Sequence, residues 1–455
     1  MTSKIVVNNI ESDSGINTVT IIGDVSVGSS ITATDITATH HGSGADLTNL
    51  PAANLTGTLP AIDGSNLTGV GASFGNSSVN TSGIITATAF VSSQGQLSHR
   101  NIIINGAMQI AQRATTYTGA DNYNTVDRFK VIHSGLNEDV TSTQVDVSSG
   151  TTPYSLGFRK AWKITNGNQS AGAGAADLLS IQYRVEAQDL ATSGWNYTST
   201  SSYVTLSFWI KSSVAQSFGG FLRTHDGTQL TFPFETGSLS ADTWTKITRT
   251  IPGNASMGFS NDNGTGMEIN ISQFWGTNYT TSSKTLDAWS AYDYAARLKD
   301  FPASTWYTTN DSTFELTGVQ LEVGSVPTPF EHRKYSEQLL LCQRYYRVIK
   351  DGSEDNGGYV GYTSYNYDVN SVVTQVNFIP EMRATPTIAS TSGTNYYRYY
   401  RNSGYVDINA MNAINGMGRK GGAFNNSDSG NGTAGQAGAF VMNNSSAKIA
   451  FDAEL

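Results

Sequence analysis

An all-β chain is what this sequence predicts, and three observations carry the prediction. Only 38% of its 455 residues are hydrophobic and 14% charged, while glycine occurs 46 times among abundant Ser, Thr and Asn. That mixture disfavours helical bundles and suits short strands joined by many turns. Apolar residues alternate with polar ones over several stretches, the period of a half-buried strand. Residues 335–346 alone carry an apolar stripe at helical spacing. The expected order is an elongated, intertwined N-terminal shaft over 1–98, a central β-sandwich or jelly roll over 99–333, a short junction helix over 334–347 and a distal β-domain over 348–455.

Between Lys4 and Arg100 there is no other Lys or Arg, and apolar residues come in short bursts such as 5–7, 19–22 and 84–90. A single copy of such a segment buries too little surface to offset the entropy of ordering it. It does contain a degenerate repeat, ADLTNL at 45–50, ANLTG at 53–57 and SNLTGV at 65–70. Leu47, Leu55 and Leu67 sit in it between polar turn residues. Leucines spaced this irregularly form a core when identical chains bring them to a common axis, so they are expected trimer contacts in a shaft. The alternative is a disordered linker. Adjacent histidines on a strand point opposite ways, so His40 and His41 offer at most one ligand per chain, and no metal site is expected.

The 99–333 region is the best patterned. Val204, Leu206, Phe208 and Ile210 face one way and Thr205, Ser207 and Lys211 the other. Met267, Ile269 and Ile271 alternate likewise with Glu268, Asn270 and Ser272. Over 313–323 the phase slips: Phe314 and Leu316 precede the break, Val319, Leu321 and Val323 follow it, and Gly318 at the slip indicates a bulge. Antiparallel strands with one wet face and Gly/Asn/Ser turns point to a sandwich whose ends lie near Asn101 and Phe330. Residues 287–301 are expected as a loop with a helical turn lying over the sheet.

The rest of the chain is organised around 318–347, where strand periodicity gives way, after Pro327 and Pro329, to a helical one. Tyr335, Leu339, Cys342 and Tyr346 fall on one stripe, with Glu337 in the first turn and Arg344 and Arg347 in the last. A lone short helix is marginal in water, so the stripe must pack on something. Leu339, Cys342 and Tyr346 are expected near the threefold axis of a homotrimer, with Leu340 or Leu341 against the sandwich. Cys342 is the single cysteine, which excludes an intrachain disulfide; it reads as a small apolar residue rather than a nucleophile.

Beyond 348 the composition shifts to Tyr, Asn, Gly and Ser. A strand is expected over 372–379 and another at the C-terminus, where Ile449, Phe451, Ala453 and Leu455 alternate with polar residues. The Gly/Asn-rich stretch 415–438 reads as long surface loops. Tyr396, Tyr397, Arg398, Tyr399, Tyr400 and Arg401, with Tyr365 and Tyr367, are the candidate binding residues. Exposed tyrosines offer flat apolar area, a hydroxyl and little entropy to lose, which matches the C–H faces and hydroxyls of sugars. On a strand, Tyr397, Tyr399 and Arg401 share one face and Tyr396, Arg398 and Tyr400 the other. Packing between chains is the competing reading of these tyrosines.

Other chemistries are disfavoured. A formal net charge of −9 repels phosphate backbones, so no nucleic-acid partner is expected. No apolar run reaches membrane-spanning length, and the polar start MTSKIVVNN points to synthesis in a cytoplasm. The sequence at 418–421, GRKG, is not a phosphate loop, since no strand precedes it and no GK[ST] occurs there; SAGAGAA at 170–176 is a loop, not a dinucleotide fingerprint. No cofactor is expected. Asp287, Asp293, Glu315, Glu322, Asp351, Glu354 and Asp355 supply carboxylates, but glycoside hydrolysis needs two facing each other across a bond, and solvated acids are the commoner explanation. No catalytic residue is assigned.

VQLEVGSVPTPFEHR followed by a helix ending in LCQRYYR resembles a segment recurring in tail fibre proteins of tailed bacteriophages. NIIINGAMQIAQR at 101–113, VDRF at 126–129 and IPEMRATPT at 379–387 fit the same pattern. The LTG repeat and GIITATAF at 83–90 are similar to segments in fibres of marine, cyanophage-like bacteriophages. The resemblance implies a structural and receptor-binding protein of the virion tail, made in the host cytoplasm and trimeric. Its N-terminal residues 1–30 would dock on a tail or baseplate protein, and its far end would meet a host surface polysaccharide. A tailspike-like polysaccharide-cleaving enzyme and a purely structural fibre are the alternatives it leaves.

Overall fold

Side chains that alternate in sequence are sorted by burial into two faces, and the computed structural model shows where each face goes. Residues 98–119, 122–301, 305–426 and 432–455 are described, with isolated positions between 6 and 28. Leu47, Leu55, Leu67, His40 and His41 lie outside the described residues. Everything from 98 onward belongs to one compact unit, Ala87–Leu455.

The first twelve strands are β1 (Thr116–Thr118), β2 (Phe129–Ser134), β3 (Thr141–Asp146), β4 (Lys160–Thr165), β5 (Leu178–Glu186), β6 (Tyr203–Ser212), β7 (Ser217–Thr224), β8 (Leu230–Ser238), β9 (Thr245–Pro252), β10 (Thr265–Trp275), β11 (Ser290–Ala291) and β12 (Thr313–Val323). They form two six-stranded sheets, ordered β1-β3-β4-β12-β6-β9 and β11-β8-β7-β10-β5-β2. Val204, Leu206, Phe208 and Ile210 from one sheet and Met267, Ile269 and Ile271 from the other enter a single core with Phe129, Trp162 and Phe314. Each such side chain contributes about 1.5–3 kcal/mol by leaving water. The slip in β12 is a bulge, with a register shift between Thr317 and Gln320 and Gly318 at φ +65°. A Cβ there would stand 2.7 Å from the Phe158 ring, so glycine is required twice over.

The outer faces of the central strands are not wet, which corrects the reading from alternation, although Lys246 and Thr250 on the edge strand β9 are exposed. Thr205, Ser207, Gln320 and Glu322 are buried. The chain after β12 turns back over them: Gly324 O accepts from Thr205, Gln320 accepts from the Glu331 amide, and Glu322 from the Thr328 amide. On the other sheet Glu268, Asn270 and Ser272 are buried as well. Trp275, Tyr279 and Leu298 pack on Phe221 there, so the chain after β10 folds across that face. It contains the short strand β11 and no helix within 287–301. The ends of the sandwich meet: Arg100 donates to Pro329 O at 3.0 Å.

Ten further strands follow: β13 (Tyr346–Asp351), β14 (Ser364–Asn366), β15 (Val372–Asn377), β16 (Thr387–Ile388), β17 (Tyr397–Arg401), β18 (Gly404–Ile408), β19 (Met411–Gly418), β20 (Gly421–Asn426), β21 (Ala437–Met442) and β22 (Lys448–Asp452). They make a three-stranded sheet β13-β22-β16 and a seven-stranded sheet β18-β17-β21-β14-β15-β20-β19. Their shared core holds Phe378, Tyr397, Tyr399, Phe424, Phe440 and Phe451. The stretch 415–438, expected as loops, supplies much of β19, all of β20 and the start of β21. Packing requires glycine at 422, where a Cβ would stand 2.6 Å from Met417 Cα.

The junction helix, Tyr335–Gln343, stops short of the expected stripe. Tyr346 opens β13, and Arg344 caps the helix rather than filling its last turn. The inward face is Gln338, Cys342 and Tyr345; Cys342 and Tyr345 pack on Ile104 and Ile110 of the same chain. Cys342 and Tyr346 are thus buried within one chain, where they were expected to face a threefold axis. Leu339 and Leu341 are half-buried and Leu340 is exposed. Burial pushes the Cys342 thiol well up, as suits an inert packing residue.

Around this helix a buried ionic network ties the sandwich to the last residues of the chain. Arg128 donates to Glu454 and to Arg184 O, and Arg113 reaches Asp452 at 2.9 Å. Arg344 holds Glu186 with paired bonds of 2.9 and 2.9 Å. Arg383 binds Ala453 O and Glu454 O at 2.6 and 2.7 Å and Asn263 O at 2.8 Å.

Candidate functional site

The Tyr/Arg cluster folds as a hairpin because its centre tolerates a tight turn. Asn402 and Ser403 both take positive φ, 44° and 60°, the conformation of a two-residue turn that matches strand twist. The register then sets Tyr400 opposite Tyr405 and Arg398 opposite Asp407. Alternation divides the cluster. Tyr397 and Tyr399 point inward and are wholly buried. The Tyr397 hydroxyl lies 2.6 Å from Thr391 O and 2.9 Å from Lys448 O, the two carbonyls sharing its one proton, and its ring stacks on Phe440. The Tyr399 hydroxyl donates to Gln436 O at 3.0 Å. Burial pushes Tyr397 up to about 12, so it stays a neutral donor. These two are core, and the expectation that they bind a ligand is corrected. Tyr396 is half-buried and packs against the same core.

Arg398, Tyr400, Tyr405 and Asp407 point outward. Arg398 grips Asp407 with bonds of 2.6 and 3.0 Å, and its guanidinium lies 3.9 Å from the centre of the Tyr405 ring. Tyr400 and Tyr405 are 40% and 58% exposed, with ring centres 5.8 Å apart at a steep tilt. The face continues across β21. Tyr400 sits opposite Ala439, Arg398 opposite Val441, Tyr365 opposite Ala437, and Tyr359 bridges Val441 from the other side. Side chains in such rows stand about 4.5–5.5 Å apart from strand to strand. Ala437 is exposed and Ala439 half-buried, so two methyl groups floor a trough walled by Tyr405, Tyr400, Tyr365 and the exposed Tyr359. Gly438, between the alanines, faces the core, where a Cβ would stand 2.5 Å from the Tyr399 ring. Arg401 lies at the turn end, beside a hollow of about 300 Å³. Tyr367 is exposed in the turn after β14, outside these rows.

The structure thus joins Arg398, Tyr400 and Tyr365 from the candidate residues, and adds Tyr405, Asp407, Tyr359, Ala437 and Ala439. Tyr405 and Asp407 had a signal in the sequence, since Asn-Ser-Gly after Arg401 marks a hairpin turn. The alanines had none. Most of the carboxylates weighed as an acid pair have other partners: Glu315 pairs with Lys211, Asp287 with Arg249, Asp351 with Lys448 and Asp355 with Lys350, while Glu322 holds Thr328. Among the described residues no group of three or more His, Cys, Asp or Glu is placed to hold a metal, and no helix is long and apolar enough to cross a membrane.

No protein-family model matches the sequence, and no curated protein is similar to it. Some solved structures match part of the chain. The enzymatically active domain of tailspike protein 4 of bacteriophage CBA120 is 10% identical over 49% of this chain and 21% of its own length, with a TM-score of 0.26. The family 11 carbohydrate-binding module from Clostridium thermocellum, solved with a mixed-linked tetrasaccharide, is 13% identical over 47% of this chain and 98% of its own, with a TM-score of 0.21. A putative sugar-binding protein from Bacteroides thetaiotaomicron is 9% identical over 49% and 99%, with a TM-score of 0.22. Likenesses of this size carry no argument about what this chain binds.

Proposed function

We propose that the chain is a receptor-binding tail fibre protein of a tailed bacteriophage, and that the outer face of the seven-stranded sheet meets a host surface polysaccharide. The observation that carries this is the trough. Four tyrosines surround an alanine floor on one sheet face, and Arg398, held by Asp407, packs against the Tyr405 ring. Such a surface costs little entropy to order and presents both C–H-matching faces and hydroxyls. The fibre assignment rests on the resemblance of the 101–113, 126–129, 318–347 and 379–387 segments. In this reading residues 1–98 are an intertwined trimeric shaft, 1–30 attach to the tail, and 348–455 form the tip. Three copies of a weak site raise apparent affinity by about 10² or more. In this reading the trough binds the polysaccharide without cleaving it.

The test is incubation of labelled full-length protein with a panel of marine bacteria and cyanobacteria, followed by binding and product-size measurement on polysaccharide from the strain that binds. Binding with intact chains is expected, and its loss in a Tyr400→Ala/Tyr405→Ala double variant. Shortened chains would reassign the protein as an enzyme. A double variant that binds undiminished would move recognition off this face.

A further inference from the structure

The hollow at the turn of the β17–β18 hairpin is lined by Arg401, Asn402, Tyr405, Thr433 and Gln436, and among the described residues that line it none is acidic. Most described arginines donate at least one side-chain hydrogen bond. Among the described arginines, only Arg297 and Arg401 donate no side-chain hydrogen bond. Arg297 is instead packed among rings, 4.2 Å from the centre of Tyr294 and 4.8 Å from that of Trp275. Arg401 has only a loose approach to Tyr399, at 5.9 Å, and its Nη1 is enclosed without an acceptor.

A guanidinium held without an acceptor is costly, and its planar fork matches one class of partner best, a carboxylate bound through two parallel N–H groups. The rest of the lining is complementary. Asn402, Gln436 and Thr433 supply neutral donors and acceptors, and Tyr405 forms the wall shared with the tyrosine trough. Arg398 covers one side of that ring, so it is held in place for a sugar to lie against. The chain's formal net charge of −9 repels anions at long range, so any preference for an acid must be generated at short range. We propose that the hollow seats the carboxylate of an acidic sugar unit, with Arg401 as its counter-charge and Tyr405 as the ring on which the pyranose rests. This rests on the glycan-binding reading above and names the class of glycan.

The experiment uses the full-length protein and polysaccharide extracted from cells that it labels. Affinity is measured before and after the polysaccharide carboxyl groups are reduced to alcohols. Reduction is expected to weaken binding by about tenfold or more, the size of a charge-assisted pair. Arg401→Gln should bind the native polymer as weakly as the wild type binds the reduced one, and be indifferent to reduction. Arg401→Lys, which keeps the charge but not the fork, should fall between them. Equal wild-type affinity for native and reduced polymer overturns the proposal while leaving the glycan-binding reading intact. So does an Arg401→Gln protein that keeps its preference for the acid. A wild-type protein that binds neither polymer overturns both.

Discussion

The buried guanidinium of Arg128 lies 3.4 Å from the centre of the Tyr345 ring, so a residue just before β2 and one just after the junction helix share a single site. Glu454, near the C-terminus, closes it. Segments far apart in sequence meet here: Asn105 binds Ile110 and Asp127 O, Asp127 accepts from Gln112, and Arg383 takes the last carbonyls. The stretches that carry the fibre resemblance therefore encode a joint. Their polar residues satisfy one another where two cores abut.

Removing one member of that joint is predicted to be expensive. Glu454→Ala leaves Arg128 buried and without its carboxylate, and deprives Arg113 of a partner. A loss of about 3–5 kcal/mol is expected, the usual result of stranding a buried charge. Urea unfolding followed by tryptophan fluorescence measures it. A loss under about 1 kcal/mol would mean that water reaches the site freely.

The same joint has a pH signature. Burial, and then the neighbouring Glu186 charge, push the Asp189 carboxyl up to about 6 from 3.8. Between those values the folded protein binds more protons than the unfolded one, so this group makes stability fall as pH rises from about 4 to about 6. Asp189→Asn is expected to remove the penalty. It should match the wild type near pH 4 and exceed it by about 1–3 kcal/mol at pH 7.5. Urea midpoints at the two pH values decide it, and equal gains at both would point to some other cause.

The β6 and β10 alternation gave the sandwich, and Gly318 gave its bulge, because a steric requirement leaves a mark at one position. Polar residues misled. Asn270 and Glu322 alternate as solvent-facing residues do, yet they lie beneath chain that doubles back over the sheets. Sequence records that a side chain is polar, not what hydrogen-bonds it. The helix stripe failed for a related reason. Tyr346 falls at helical spacing from Cys342 but already belongs to a strand, and the polar Gln338 occupies the inward face. For the candidate site, alternation separated Tyr397 and Tyr399 from Arg398 and Tyr400 without saying which pair was buried. The floor at Ala437 and Ala439 came from a strand pairing that no local pattern reveals.

That separation yields a direct contrast. Tyr397→Ala empties a site in the core between Phe440 and the β22 backbone and should cost about 3–5 kcal/mol. Tyr405→Ala removes an exposed ring and one cation–π contact, worth about 0.5–1 kcal/mol. Thermal melts should rank them in that order, while cell binding at a temperature where both are folded should fail only for Tyr405→Ala. The reverse ranking would place Tyr405 in the framework.

The last prediction concerns association. The outward side of the junction helix leaves Tyr335 61% and Leu340 47% exposed, although Cys342 on its inner side is spoken for by its own chain. An exposed leucine alone needs no explanation, but this one sits on a joint rigidly fixed by Arg344 and Glu186, a firm base for copies to meet. Sedimentation of the full chain is expected to show three copies. Leu340→Arg should leave the copy number unchanged if the shaft also joins the chains, and lower the melting temperature by several degrees, since three like charges would be forced together. A wild-type monomer or dimer refutes the trimer. A trimer whose melting ignores Leu340→Arg retains the assembly but moves its contacts away from the helix.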